Sequence, residues 1–265
     1  MAPILITLAV LIAGTIAVHY NGYFQTDGKA SPMAFKDMRI KIVYDRTDPE
    51  LLAYIPPARL AAYQTIVGGP VPEAGSMVLG YDEARDMTEE ANITISQALW
   101  GYTVKGFIGK DVKVSGMLKR TDSLLDMMHV LPEDAYDSFP AGEPIDVKYT
   151  EDKMPKFFYY IRRDGGNWPK GIRFSMGGML DFEMIREDRT VFQAKVGDID
   201  IHVGDNRTYL PLVLGAKEAK MMMDEGMFSK PGERIRGFFG KDVVIAGVLE
   251  PTGTALDMMH YMPGG

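Results

Sequence analysis

The chain contains no cysteine in 265 residues. That excludes disulfides, thiolate metal sites, iron–sulfur clusters and covalently attached c-type haem. A long basic run is also missing, and the formal net charge is -7 with a pI near 5.2. Phosphate affinity comes from clustered Lys and Arg that release counterions, so a nucleic-acid partner is not expected. No Walker or Gly-x-Gly-x-x-Gly loop is completed, and Gly-x-Ser-x-Gly, His-Glu-x-x-His and protein-kinase signatures are absent. The familiar nucleotide-binding and hydrolytic motifs therefore have no foothold, and no catalytic residue is assigned.

With 46% hydrophobic and 25% charged residues, the composition is that of a folded chain. Methionine is abundant at 19 residues, supplying soft thioethers and adaptable core filler. Residues 3 to 18, PILITLAVLIAGTIAV, carry no charge. With His19 and Tyr20 they approach the roughly 20 residues that a bilayer helix needs. The expectation is an N-terminal membrane anchor or signal segment over 1–20, retained because Ala17-Val18-His19 is a poor cleavage site. Lys29, Lys36, Arg39 and Lys41 follow this segment and argue for a cytoplasmic domain. The missing cysteines and the sequons at Asn92 and Asn206 argue for the outer face of a cell membrane, which is the placement adopted.

The most informative feature is a repetition. GFIGKDVKVSGMLKRTDSLLDMMHVLP (106–132) returns as GFFGKDVVIAGVLEPTGTALDMMHYMP (237–263), with 15 of 27 positions identical. Upstream, VLGYDEARDMTEEA (78–91) matches VLGAKEAKMMMDEG (213–226), and the four-residue change in offset falls in the connecting loop. Further upstream, IKIVYDRTDPELLAYI (40–55) echoes IDVKYTEDKMPKFFYYI (145–161). These matches predict repeat 1 over 39–132, a linker over 133–143, and repeat 2 over 144–263 with an insertion near 162–185. Within each repeat an alternating strand, a helix after a glycine and a β-hairpin follow in order. The predicted fold is α+β: an N-terminal hydrophobic helix, then two tandem, internally duplicated, β-barrel-like subdomains.

The closing Leu-Asp-Met-Met-His carries the candidate chemistry. In an extended strand, Met127 and His129 share one face, as do Met258 and His260. A thioether and an imidazole two residues apart suit copper(I), or the axial positions of a non-covalent haem. On the helix, Glu83, Met87 and Glu90 recur as Glu218, Met222 and Glu225 at one-face spacing. Glu83 and Glu218 would complete a metal sphere or orient the histidines. Two functions follow as expectations. One is a membrane-anchored, extracytoplasmic copper- or haem-binding electron-transfer module. The other is a noncatalytic scaffold or subunit of a membrane complex, whose duplicated domains bind a protein partner.

Overall fold

The computed structural model describes residues 35, 37–45, 48–90, 100–151, 155–162, 165–177, 192–196, 199–203 and 209–264. Two compact units emerge. The first is built from Leu52–Pro140 with a few residues before Arg39, the second from Arg39–Leu51 with Ala141–Gly265.

In chain order the strands that matter for unit 1 are β2 (Asp48–Tyr54), which passes from unit 2 into unit 1 after Leu51, then β3 (Thr65–Gly68), β4 (Ser76–Leu79), β5 (Thr103–Phe107), β6 (Lys110–Leu118) and β7 (Met128–Val130). Its helices are short: α1 (Pro57–Leu60), α2 (Tyr81–Glu90) and α3 (Glu133–Ser138). The sheet order is β2–β7–β4–β6–β3, with β5 on the same edge of β6 as β3. It is mixed, because β4 runs parallel to β6 and antiparallel to β7.

Unit 2 contains β1 (Arg39–Asp45), β8 (Glu143–Tyr149), β9 (Pro155–Ile161), β10 (Phe174–Gly177), β13 (Leu210–Leu214), β14 (Arg234–Phe238), β15 (Lys241–Leu249) and β16 (Met259–Pro263), with helix α4 (Ala216–Asp224). A separate ribbon joins β11 (Phe192–Val196) to β12 (Ile199–Val203). The order is β10–β15–β13–β16–β9–β8–β1, with β14 on β15. Phe158, Leu212, Leu214, Met222, Phe238 and Ile245 lie in its core.

The two units repeat one another to the residue. Leu79 pairs with His129 as Leu214 pairs with His260. Ser76 pairs with Lys113 as Pro211 pairs with Val244, and both parallel ladders break register after one further residue pair. Gly68 pairs with Gly116 as Gly177 pairs with Gly247. The duplication read from 78–132 and 213–263 therefore extends to β3 and β10, TIVG and FSMG, which share only glycine.

Four expectations change. Among the described residues the fold is mostly mixed β-sheet with helices of four to ten residues, and each unit's strand order there is an open path rather than a barrel. β1, counted with repeat 1, belongs to unit 2, where it pairs with β8 through Ile40 and Ile145. The insertion moves as well: β10 is the counterpart of β3, so the extra chain lies over 178–209, against 69–75 in the first copy. Finally, the membrane anchor, single-pass topology and outer-face placement lose their support. Among the described residues no helix is long and apolar enough to cross a membrane, and the segment 3–18 lies outside the described residues, as do both sequons.

Candidate functional site

The repeated motif builds the same local device twice, and a glycine makes it possible. Gly80 donates its N–H to the Met128 carbonyl at 2.9 Å and accepts from the Ala84 N–H at 3.0 Å, so it ends the strand and starts α2. A Cβ at Gly80 would lie 2.2 Å from the Leu125 carbonyl oxygen, and one at Gly215 would lie 2.2 Å from that of Leu256. Any side chain there would push helix and turn apart. With glycine present, the first helical turn sits over the closing strand, bringing Glu83 above His129 and Glu218 above His260.

Leu-Asp-Met is not strand, contrary to the alternation expected. Leu124–Met127 and Ala255–Met258 are 3₁₀ turns, capped by the Ser123 and Thr254 hydroxyls. Strand begins at Met128 and Met259, so Met127 and Met258 close the turns, and the shared face expected for Met127 with His129 lacks its extended backbone. The buried aspartates hold these turns. Asp126 accepts from the Thr121 N–H and hydroxyl, both at 2.8 Å. Asp257 accepts from the same groups of Thr252 and from the Gly253 N–H. Burial raises the Asp126 carboxyl above its ordinary range despite the hydrogen bonds from Thr121.

Gly-Phe-x-Gly-Lys-Asp also has a structural reading. Ile108 and Gly109 form a two-residue hairpin loop with φ of 46 and 80, both left-handed, as do Phe239 and Gly240 at 48 and 77. Asp111 and Asp242 accept the Gly106 and Gly237 N–H groups across each hairpin. The hairpin delivers Phe107 onto the His129 ring at 4.5 Å between centroids, and Phe238 toward His260 at 5.4 Å.

Electrostatically the copies diverge. In the first, His129 Nε2 lies 3.2 Å from Glu83 Oε1, with the histidine 1% and the glutamate 20% exposed. Burial would raise the Glu83 carboxyl, but the His129 imidazole outweighs it through charge and hydrogen bonding and holds it below the usual range. In the second, His260 and Glu218 meet at the same 3.2 Å but are 0% and 2% exposed. His260 Nδ1 donates to the Phe157 carbonyl at 3.2 Å. Its Nε2 approaches Glu218 Oε1 at ion-pair distance without the direction of a full hydrogen bond. That contact attracts only when a proton lies between the two atoms. Lys156 Nζ contacts the same Oε1. Burial pushes Glu218 up, whereas His260 and Lys156 together hold it down.

Of the expected residues, Glu83 joins His129 and Glu218 joins His260. Met87 and Met222 lie on those helices, Glu225 is exposed past the end of α4, and nothing is described of the Glu90 side chain. Lys156 was not foreseen, although the alignment of DPELLAYI with MPKFFYYI sets Glu50 against it. No family model, curated protein or solved structure matches the chain.

Proposed function

We propose that the chain is a noncatalytic, duplicated module that binds a protein partner through one sheet edge of its first copy. The observation that carries this reading is a difference in decoration on a shared backbone. β3 and β5 pair with successive stretches of β6, and the Gly69 and Gly101 N–H groups bond to Ser115 and Val114 beside one another. Around that junction Trp100 is 63%, Tyr102 42% and Ile66 39% exposed. The second copy repeats the bonds around Gly101, with the Gly232 N–H to the Ile245 carbonyl and the Ile245 N–H to the Glu233 carbonyl, but Pro231, Glu233 and Ser175 occupy the positions of Trp100, Tyr102 and Ile66.

Exposed Trp and Tyr in one apolar group are the residue types that dominate binding energy at protein interfaces. Their replacement by Pro, Glu and Ser in a copy with the same backbone supports a role outside the fold. The motif's own polar groups are largely committed to folding, since Asp126 and Asp257 hold turns and His260 is bonded to a backbone carbonyl. Copper(I) and non-covalent haem draw less support. Both histidines are buried against phenylalanine, and neither methionine expected beside them lies on the strand.

A photoreactive side chain at position 102, and separately at 233, tests the reading in cells that express the chain. The expectation is a discrete cross-linked species from 102 alone, lost when Ile66→Ser and Trp100→Pro are added. Equal labelling from both positions, or none from 102, would contradict it.

A further inference from the structure

We propose that the segment received at the exposed edge of the first copy is an acidic, extended polypeptide, whose carboxylates pair with Lys113 and Lys119 on either side of its apolar residues. This rests on the protein-binding reading and adds to it the charge and spacing of what binds.

The chain as a whole is acidic, with a net charge of -7, but this edge is not. Residues 100–120 hold five basic residues and one acidic, whereas the matching 231–251 hold three of each. Side-chain pairing locates the excess. Lys105 is neutralised by Asp111 at 2.6 Å, and Arg120 by Asp82 and Asp122 at 3.3 and 3.1 Å. Lys110 turns to the Ser138 hydroxyl at 2.8 Å and to the Phe139 ring. Lys119 bonds only the neutral Gln64 amide oxygen, at 2.7 Å, and the Lys113 ammonium has no partner among the described residues. The second copy closes both positions. Val244 stands for Lys113, and Arg173 and Glu250 stand for Gln64 and Lys119 on the same backbone bond. There Arg173 Nε meets Glu250 Oε2 at 2.7 Å, so one backbone carries a neutral ion pair in one copy and an uncompensated cation in the other.

Both lysines reach the apolar group. The end of Lys113 lies against Gly101, between Trp100 and Tyr102, with Cε 3.9 Å from the place of a Cβ there. Lys119 lies over Gln64, two residues before Ile66. One cation therefore stands beside the exposed aromatic pair and the other beside Ile66. Six chain positions separate the two lysines, roughly 20 Å at the strand rise, so an extended ligand bridges them with carboxylates about six residues apart. β3 ends the sheet order and β5 pairs only with β6, so among the described residues no strand lies along their outer side and an extended segment has room to add itself. Trp100 and Tyr102 anchor such a segment, and the charges at the rim set its direction and rate of arrival.

Selection of phage-displayed random peptides on the full chain, with the winners synthesised and titrated by fluorescence anisotropy, tests the charge. Enriched peptides should carry an excess of Asp and Glu around apolar residues and bind more tightly at low salt than at physiological salt. Lys113→Val with Lys119→Glu installs the second copy's residues at two exposed positions, and should weaken binding about five- to thirtyfold without moving Tm. Trp100→Pro should abolish binding, and Lys217→Glu, at an exposed lysine of unit 2, should leave it unchanged. Peptides that need Trp100 but show no acidic excess, or that bind the double lysine variant equally well, overturn this inference and leave the protein-binding reading standing. A selection that yields no Trp100-dependent peptide overturns it too, and the cross-linking at position 102 then decides the wider reading alone. Retention of labelled oligothymidylate, lost in Trp100→Pro, overturns both, because aromatic stacking beside lysine is how single-stranded nucleic acid is held.

Discussion

The first and second copies share every strand pairing around their histidines, yet one carries Glu50 and a partly open Glu83 where the other carries Lys156 and a sealed Glu218. The difference separates what the repeated motif does for folding from what each copy does with it. Glycine, aspartate and phenylalanine of the motif fix the helix, the turn and the hairpin, and these are the residues kept in both. The glutamate beside each imidazole is sealed to a different degree, and there the copies part.

The largest expected effect is at the sealed pair. Glu218→Ala should destabilise unit 2 by about 3 to 5 kcal/mol, because it strands Lys156 and His260 without their buried counter-charge. Glu83→Ala, at a site only partly exposed, should cost unit 1 less, about 1 to 2 kcal/mol. Urea denaturation of the two variants compares them directly, and equal losses would break the contrast.

Next come the glycines. Gly80→Ala and Gly215→Ala should each cost about 1 to 3 kcal/mol, the usual range for forcing a methyl group into a filled space. Since both would meet a carbonyl oxygen at 2.2 Å, the two losses should agree, and a large inequality would mean the copies are less alike than their pairing indicates.

A pH effect follows in sign from Glu218. Its folded carboxyl lies below the ordinary value of 4.5, so the unfolded chain binds the proton more readily. The stability it confers is present above pH 4.5 and is lost as pH falls below that value and through the folded pKa. Denaturation midpoints measured from pH 6 downward should fall more steeply for the wild type than for Glu218→Gln. The smallest effect is at the exposed edge: Trp100→Pro with Tyr102→Glu should keep unfolding stability within about 1 kcal/mol, near what surface substitutions usually cost, and circular dichroism melts will check this.

The duplication was legible because 106–132 and 237–263 retain glycines, aspartates and apolar spacing that turns and core demand. The Glu83–His129 and Glu218–His260 pairs were legible for a related reason: a first-turn residue after a glycine has few places to point. Other features left weaker marks. β3 and β10 are four residues long and share only the glycine at which they cross β6 and β15. Leu124–Met127 alternates like a strand, but hydroxyl caps and a buried aspartate wind it into a 3₁₀ turn. The allocation of β1 to unit 2 depends on pairing Ile40 with Ile145, over a hundred positions apart, which local pattern does not encode. Lys156 is one letter in a faint echo and gains meaning only beside Glu218.

The most direct test of the central claim, that the copies share one device and differ in how deeply its glutamate is sealed, is a pair of double-mutant cycles by urea denaturation. Glu218→Gln with His260→Gln should show a larger coupling energy than Glu83→Gln with His129→Gln, because the sealed pair is shielded from water. Equal coupling energies would contradict the account.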